Sequence, residues 1–199
     1  MSTTGERTAR PPGSGAPADG GAVLTTRVVG AGSAEDPALR EDLLRTWVEV
    51  SEAGGSVGFV PPVDPAAVAV ALDAALQRVR AGADALVVLE EQDGGGRRAV
   101  GMAVLASGGS AITAHWRTVG RLMVAPHLQG RGVGRRLLEA VHDAARDLGL
   151  EQLSLAVRDG QGLQPFYERA GYVVVGRHPG ALRVGPGDDR DEVRLVRRL

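Results

Sequence analysis

The sequence contains no cysteine, lysine or asparagine, and these absences narrow what the protein can do. Without cysteine there is no disulfide, no thiol nucleophile and no thiolate metal ligand. Without lysine, an ATP-binding loop ending in Gly-Lys-Ser/Thr is excluded. The 23 basic residues are therefore all arginines, which we interpret as a bias of the encoding genome. The four histidines are scattered, none with a second at metal-ligand spacing, so we predict no metal site.

Strong charge imbalance and long apolar runs are also missing. A formal net charge of −1 gives no electrostatic reason to expect a nucleic acid or an anionic membrane as partner. No run approaches the roughly 18 apolar residues that span a bilayer, and the N-terminus lacks the apolar core of a secretory signal. We therefore predict a cytoplasmic protein.

The length of 199 residues suits one domain preceded by a tail. Residues 1–21 are rich in glycine, proline, serine and threonine and almost free of large apolar side chains. Such a segment buries too little apolar surface to offset the entropy lost on ordering. We predict a disordered tail over residues 1–21 and a single domain over residues 22–199.

The spacing of apolar residues predicts elements in the order βααβββαβαββ. The first two helices begin at the same signal, an aspartate cap followed by proline, at Asp36-Pro37 and Asp64-Pro65. The turn QDGGGRR between two strand-like runs suits a hairpin. A third helix begins at Val133, with Leu148 on its predicted buried face. Hairpin neighbours favour a mixed α/β sheet over a doubly wound parallel one.

The connection between the first two helices, GGSVGFVPP, presents Phe59 between glycines and a proline pair. Such a loop is either a lid anchored by one aromatic side chain or a wall of a ligand site.

A turn with three glycines separates a predicted strand from the third helix, within RLMVAPHLQGRGVGRRLLEA at 121–140. The amides from Gly130 to Gly134 would lie unpaired at a helix N-terminus, where the macrodipole adds about half a positive charge. Glycines at 130, 132 and 134 would let a diphosphate approach closely. Arg135, in the first helical turn, opposes the dipole until an anion binds. We predict an anion site; the alternative is a tight turn beside solvated arginines.

The turn differs in position from the dinucleotide-binding motif, which follows the first strand of a parallel unit, whereas this turn is central in the chain. Gln129-Gly130-Arg131-Gly132-Val133-Gly134 instead resembles the Gln/Arg-x-x-Gly-x-Gly/Ala signature of GNAT-superfamily N-acetyltransferases. The segments LMVAPHLQGRGVGRRLL and FYERAGY are similar to the two main GNAT sequence blocks, in the same order. The resemblance implies a mostly antiparallel sheet flanked by helices, with a splayed central strand pair. It also implies acetyl-CoA as the acyl donor.

The resemblance assigns cofactor contacts to two adjoining segments. The strand before the turn would run along the pantetheine arm, and the turn would wrap the pyrophosphate, mainly through amides. The implied cofactor-binding residues are Leu122, Met123, Val124, Gln129, Gly130, Arg131, Gly132, Val133, Gly134 and Arg135.

Catalytic roles follow from the same resemblance. Tyr167 matches the tyrosine that protonates the departing thiolate, and a phenol with a pKa near 10 can do so. Its alternative role is a cofactor contact. His115 is the candidate general base because Thr118 stands where related bacterial enzymes carry glutamate. Three further candidates are Glu90, Glu91 and His178.

A second departure from the family pattern concerns the cofactor arm. Gly160 stands where many members carry asparagine, and Leu163 replaces a small residue. Cofactor contacts there would be rerouted through Gln161 or Gln164. Phe59 is the predicted acceptor-side wall, because its loop borders the acceptor site in the family.

The predicted function is transfer of an acetyl group from acetyl-CoA directly to a primary amine of a small molecule. One alternative is acetylation of a protein N-terminus or lysine, which needs an open groove. Another, from a different class, is a non-catalytic acyl-CoA-binding or sensing protein, suggested by Thr118 and Gly160. A homodimer is a further expectation, since many GNAT proteins dimerise.

Overall fold

The computed structural model describes residues 22–199, and the predicted disordered tail at residues 1–21 lies outside them. The elements follow the predicted order. The strands and helices are β1 (Val23–Val29), α1 (Pro37–Glu52), α2 (Pro65–Arg80), β2 (Ala85–Asp93), β3 (Gly96–Ala106), β4 (Trp116–Val124), α3 (Val133–Asp147), β5 (Gln152–Arg158), α4 (Leu163–Glu168), β6 (Val173–Gly185) and β7 (Asp188–Arg198).

The first two helices begin as their sequences predict. The Asp36 carboxylate accepts a 2.9 Å hydrogen bond from the amide of Ala38, and Asp64 accepts one of 2.9 Å from Ala66. In each helix the following proline occupies the first turn, where its missing N–H leaves no hydrogen bond unmade.

The strands form one seven-stranded sheet in the order β1-β2-β3-β4-β5-β7-β6. Every neighbouring pair is antiparallel except β4 and β5, which are parallel. These two strands pair only where Trp116–Thr118 meets Gln152–Ser154, and beyond Thr118 they separate. The predicted mixed, mostly antiparallel sheet with a splayed central pair is thereby confirmed.

Alternation along the central strands divides the core between the two faces of the sheet. On β2, Val87 and Leu89 face a cluster with the apolar side of α3. Leu86 and Val88 point the other way, into a cluster with α1 and α2. Residues 99–105 of β3 are buried, whereas β4 is buried only in part and lies beside the gap where it separates from β5.

Strand β4 contains a bulge at Arg121. Met102 pairs with Met123 and Val104 pairs with Gly120, so Arg121 and Leu122 together oppose one residue of β3. Arg121 has φ 56°, the only positive φ at a non-glycine residue between 22 and 199. Bulges of this kind re-aim side chains and are frequent beside functional sites.

Two sequence expectations about the fold were wrong. Leu148, predicted to lie on the buried face of α3, is 54% exposed because the helix ends at Asp147. The apolar run YVVVGR predicts a strand limited to residues 172–177, whereas β6 extends to Gly185 and forms a long hairpin with β7. Its outer part is exposed and carries cross-strand ion pairs such as Arg183–Asp189 at 2.7 Å, so it lacks a buried apolar pattern.

Between residues 22 and 199, no helix combines the length and apolar character needed to cross a bilayer.

Candidate active site

A cavity of about 820 Å³ opens where β4 and β5 separate. Its walls come from both strands, from the glycine turn before α3, from α4 and from the loop Ala53–Gly58. The cavity therefore results from the interrupted pairing of the sheet.

The glycine turn presents a row of unpaired amides to this cavity. Gly132 caps α3 with φ 76° and offers no side-chain cap. Within residues 22–199, the amides from Gly130 to Gly134 donate no hydrogen bond to another backbone group. Such donors at the start of a 15-residue helix form a favourable site for phosphate oxygens.

The glycines of this turn are required for two different reasons. Gly130 and Gly132 adopt positive φ angles of 73° and 76°, which side chains disfavour. Gly134 has no such angle, and a Cβ added there would meet no atom within 4 Å. Glycine within a helix costs about 1 kcal/mol relative to alanine, and protein packing does not demand it here. Close approach of a ligand explains Gly134, which lines the cavity.

The structure brings most of the predicted cofactor residues to the cavity. Those that line it are Leu122, Met123, Val124, Gln129, Gly130, Gly132, Gly134 and Arg135. Arg131 and Val133 do not line it; Val133 is only 8% exposed and belongs to the core. The side-chain amide of Gln129 donates a 2.9 Å hydrogen bond to the Val124 carbonyl, which fixes the turn to the end of β4.

Tyr167 places a phenol in the cavity wall. Its ring is packed edge-on against Phe166 and Tyr172, with centroid separations of 4.9 and 5.6 Å. Burial raises the pKa of Tyr167 to about 12. The phenol is therefore protonated at neutral pH, as a proton donor must be.

The candidate bases lie outside the cavity. His115 is exposed and precedes β4, where its carbonyl accepts a 2.8 Å hydrogen bond from the amide of Glu151. Glu90 and Glu91 are buried in ion pairs with Arg27, at 2.9 Å, and with Arg98. His178 is exposed on β6. None of these side chains lines the cavity.

Phe59 anchors its loop and does not line the cavity. Its ring packs edge-on against Trp47 at 5.6 Å, and the Trp47 indole donates a 3.0 Å hydrogen bond to the Val57 carbonyl. Val57 and Gly58 form the cavity wall in its place. The loop therefore lines the cavity, as in the second interpretation, while its aromatic side chain anchors it, as in the first.

The same loop is tied to the opposite wall. The Gly54 carbonyl accepts hydrogen bonds from Arg158 at 3.1 Å and from Gln161 at 2.9 Å. Ser56 also donates a hydrogen bond to the side chain of Gln161. A loop that follows α1 thus reaches across to β5 and the turn before α4, and it bounds one end of the cavity.

The residues at the family's asparagine position are placed as follows. Gly160 adopts φ 83° in the turn after β5, while Gln161 and Leu163 line the cavity. Gln164 instead donates a 2.8 Å hydrogen bond to Glu168 on its own helix. Of the two glutamines predicted to take over cofactor contacts, only Gln161 lines the cavity, and its side chain is bonded to Gly54 and Ser56.

Arg121 is a cavity residue that sequence reasoning missed. Its guanidinium carbon lies 4.8 Å from the centroid of the Trp47 ring, a cation–π geometry. Desolvation lowers the pKa of Arg121, although a guanidinium remains charged at neutral pH. The bulge that aims it inward leaves no trace in apolar periodicity, so the sequence offered no signal for this residue.

The cavity wall carries cations without any acidic side chain. Arg121, Arg135 and Arg169 line it, whereas no aspartate, glutamate or histidine does. The helix N-terminus adds partial positive charge to the same space. This field favours anionic ligands and matches a cofactor that carries phosphates.

Comparison with known proteins agrees with this geometry. Residues 64–180 match a family described as "Acetyltransferase (GNAT) domain". A GNAT-family acetyltransferase from Streptococcus pneumoniae superposes with a TM-score of 0.68 at 15% identity, covering 89% of this chain and 100% of its own. A Salmonella typhimurium structure, described as an acetyltransferase with its cofactor acetyl-CoA, gives 0.64 at 17% identity, covering 89% and 94%. The ribosomal-protein-alanine N-acetyltransferase from Brucella melitensis gives 0.66 at 19% identity, covering 88% and 99%.

The chain belongs to the GNAT acetyltransferase family, since the match spans more than half of it. It is therefore an acyltransferase whose acetyl donor is acetyl-CoA. The residues present suit that donor, because amides without a backbone partner and the arginines of the cavity wall would face its phosphates.

Proposed function

We propose that the protein transfers an acetyl group from acetyl-CoA directly to the primary amine of a small molecule. The observation that carries the small-molecule acceptor is the loop Ala53–Gly58, which is bonded to Arg158 and Gln161 across the opening. A peptide or protein tail would need an open groove at this end of the cavity. The bonded loop crosses that end, which favours a small acceptor.

The cofactor-binding residues are proposed from the same geometry. The amides of the glycine turn would hold the pyrophosphate, with Arg135 and Arg169 beside them. The backbone of Leu122, Met123 and Val124 would bind the pantetheine arm along β4. Acetyl-CoA, when bound, supplies a thioester whose acetyl group passes to the amine nitrogen as the carbon–sulfur bond breaks.

Tyr167 is proposed as the proton donor to the departing sulfur. Its phenolic proton would pass to that atom, and solvent would restore the proton afterwards. With a pKa of about 12, the Tyr167 phenol carries its proton at neutral pH.

We propose that the ammonium form of the acceptor loses one proton to water before the nitrogen attacks, and that the nitrogen loses a second proton to water as the carbon–nitrogen bond forms, rather than to a cavity side chain. No carboxylate or imidazole lines the cavity, and its three arginines disfavour a charged ammonium ion there. The acceptor would thus react as its free amine. The competing prediction, in which His115 acts as the base, gives a different pH dependence, described below.

Two measurements test this function. Thermal unfolding with acetyl-CoA, CoA, ATP and NADH should show selective stabilisation by the first two, since a ligand at 100 times its Kd adds about 2.7 kcal/mol. Mass spectrometry of a primary-amine panel should then show N-acetyl products that depend on the enzyme. Stabilisation by NADH or ATP but not by CoA would contradict the proposed cofactor site.

Protein acetylation is the second candidate, favoured by the structural similarity to a ribosomal-protein-alanine acetyltransferase. Assays with peptides that carry free N-termini or internal lysines distinguish protein acetylation from acetylation of small molecules. Turnover of long peptides at rates equal to those of small amines would favour protein acceptors. A homodimer remains a prediction, to be tested by the mass of the protein in solution.

A further inference from the structure

Arg121 occupies a backbone conformation that needs an explanation. Its φ of 56° lies in the left-handed region, which residues other than glycine rarely adopt. Glycine at this position would adopt the bulge without strain, and Gly120 precedes it. Strained residues of this kind cluster at ligand sites, and here the strain delivers one particular side chain to the cavity.

The guanidinium of Arg121 is held in place without an acidic partner. It stacks on Trp47 at 4.8 Å, and a Cβ at Gly58 would lie 3.9 Å from its guanidinium carbon. No carboxylate within residues 22–199 forms an ion pair with it. Several other arginines are paired with carboxylates; Arg40, for example, binds both oxygens of Asp73 at 2.6 and 2.8 Å. Arg121 therefore presents unused donors to the cavity.

The position of Arg121 assigns it to the acceptor end. It lies against Trp47 and Gly58, which belong to α1 and to the loop that bounds that end. The cofactor phosphates already have the glycine turn and two other arginines, Arg135 and Arg169. The cation at Arg121 is thus left for the second substrate.

We propose, resting on the proposed function, that the acceptor is an amine that also carries an acidic group, which Arg121 binds. A carboxylate or a phosphorus oxyacid suits the planar guanidinium fork, which can donate two parallel hydrogen bonds. The acceptor would supply the negative charge that the cavity wall lacks. Its amine, at the other end of the molecule, would face the thioester.

The test compares acceptors that differ only in charge. Each L-amino acid is assayed beside its carboxamide, with aminoalkylphosphonates as a second acidic series and spermidine as a polycation. The expected kcat/KM for the preferred acidic acceptor exceeds that for its neutral analogue by about 30- to 100-fold, as for charge-assisted hydrogen bonds. The two acidic series show whether carboxylate or phosphorus oxyacid is the better ligand.

Variants of Arg121 test whether this residue causes the preference for acidic acceptors. Arg121→Gln should remove most of this preference by raising KM for acidic acceptors, while the Kd of CoA stays unchanged. Arg121→Lys should retain part of it, because it keeps the charge without the fork. Arg198→Gln, an exposed change at the end of β7 outside the cavity, is the matched control and should leave both values unaltered. Thermal unfolding checks that each variant is folded.

Three results would overturn the inference. Neutral carboxamides or spermidine could be acetylated as efficiently as acidic amines. Arg121→Gln could weaken CoA binding as much as it weakens acceptor use, which would assign the cation to the cofactor. Calorimetry on the CoA complex could show equal affinity for N-acetyl amino acids and their amides. Each leaves the acetyltransferase function standing, whereas the absence of any N-acetyl product would contradict that function itself.

Discussion

The two ends of the cavity offer different groups to the ligands that we propose for them. At the proposed cofactor end these groups are backbone amides, in a turn shaped by Gly130, Gly132 and Gly134. At the acceptor end they are side chains, with Arg121 held against Trp47 under a loop bonded to Gln161. The proposed cofactor end can therefore be predicted from the spacing of glycines along the chain. The acceptor end depends on a bulge and a loop contact, both of which can change without disturbing the fold.

The most damaging change to the cofactor end is predicted to be Gly132→Glu. A carboxylate at the helix N-terminus would occupy the anion site, and we expect the CoA affinity to fall by at least about 100-fold. Gly132→Ala is the control, because it imposes the same strained φ without the charge. Calorimetry measures both. Affinity for CoA that is equal in the two variants would remove the electrostatic account of this turn.

Tyr167→Phe tests the proposed proton donor, which lies between the two ends of the cavity. Loss of a proton donor should lower kcat by about 100-fold, the usual scale of general acid catalysis, with little change in either substrate's affinity. The buried ring keeps its contacts with Phe166 and Tyr172, so the fold should be retained. Steady-state kinetics and CoA titration separate the effects. A parallel loss of CoA affinity would reassign Tyr167 to cofactor binding.

The pH profile tells whether the acceptor end contains a base. If the acceptor enters as its free amine, kcat/KM should rise about tenfold per pH unit until the amine's own pKa is reached. With a pKa near 12, Tyr167 gives no falling limb below about pH 11. A profile that instead levels off below the amine's pKa, and regains the free-amine slope in His115→Gln, would restore His115 as the base.

The smallest predicted effects come from Gly134, where one substitution should raise stability and weaken CoA binding. Gly134→Ala should raise the free energy of unfolding by about 0.5–1 kcal/mol, because alanine is the better helix residue. The new methyl group would enter space that a ligand uses, and we expect the CoA affinity to fall by about tenfold. Urea unfolding and calorimetry measure the two quantities. Gly30→Ala, which also meets open space but lies outside the cavity, should leave CoA binding unchanged.

The order of elements and the cofactor end could be predicted from the sequence because both depend on local signals. Asp36-Pro37 and Asp64-Pro65 start their helices through a carboxylate two residues from the amide it caps. The glycine turn lies between a strand and a helix, both of which have clear periodicity. Neighbours along the chain determine these features.

The acceptor end could not be predicted because it depends on contacts between distant segments. Gln161 bonds to Gly54, a separation of 107 residues, and Arg121 meets Trp47 only after β4 forms its bulge. Phe59 was predicted as a wall, yet its apolar ring packs on the core and leaves the wall to Val57 and Gly58. The outer part of the β6–β7 hairpin was missed because ion pairs, rather than apolar burial, accompany it.

The separation of β4 from β5 has a consequence for the sheet as a whole. It creates two inner edges in addition to the outer edges of β1 and β6, and unpaired strand edges attract other extended chains. These inner edges are flanked by α4 and the loop Ala53–Gly58, which line the cavity between the two strands. The cofactor would then fill the position of a missing strand, and the loop that bounds the acceptor would also keep the protein from associating through its own centre.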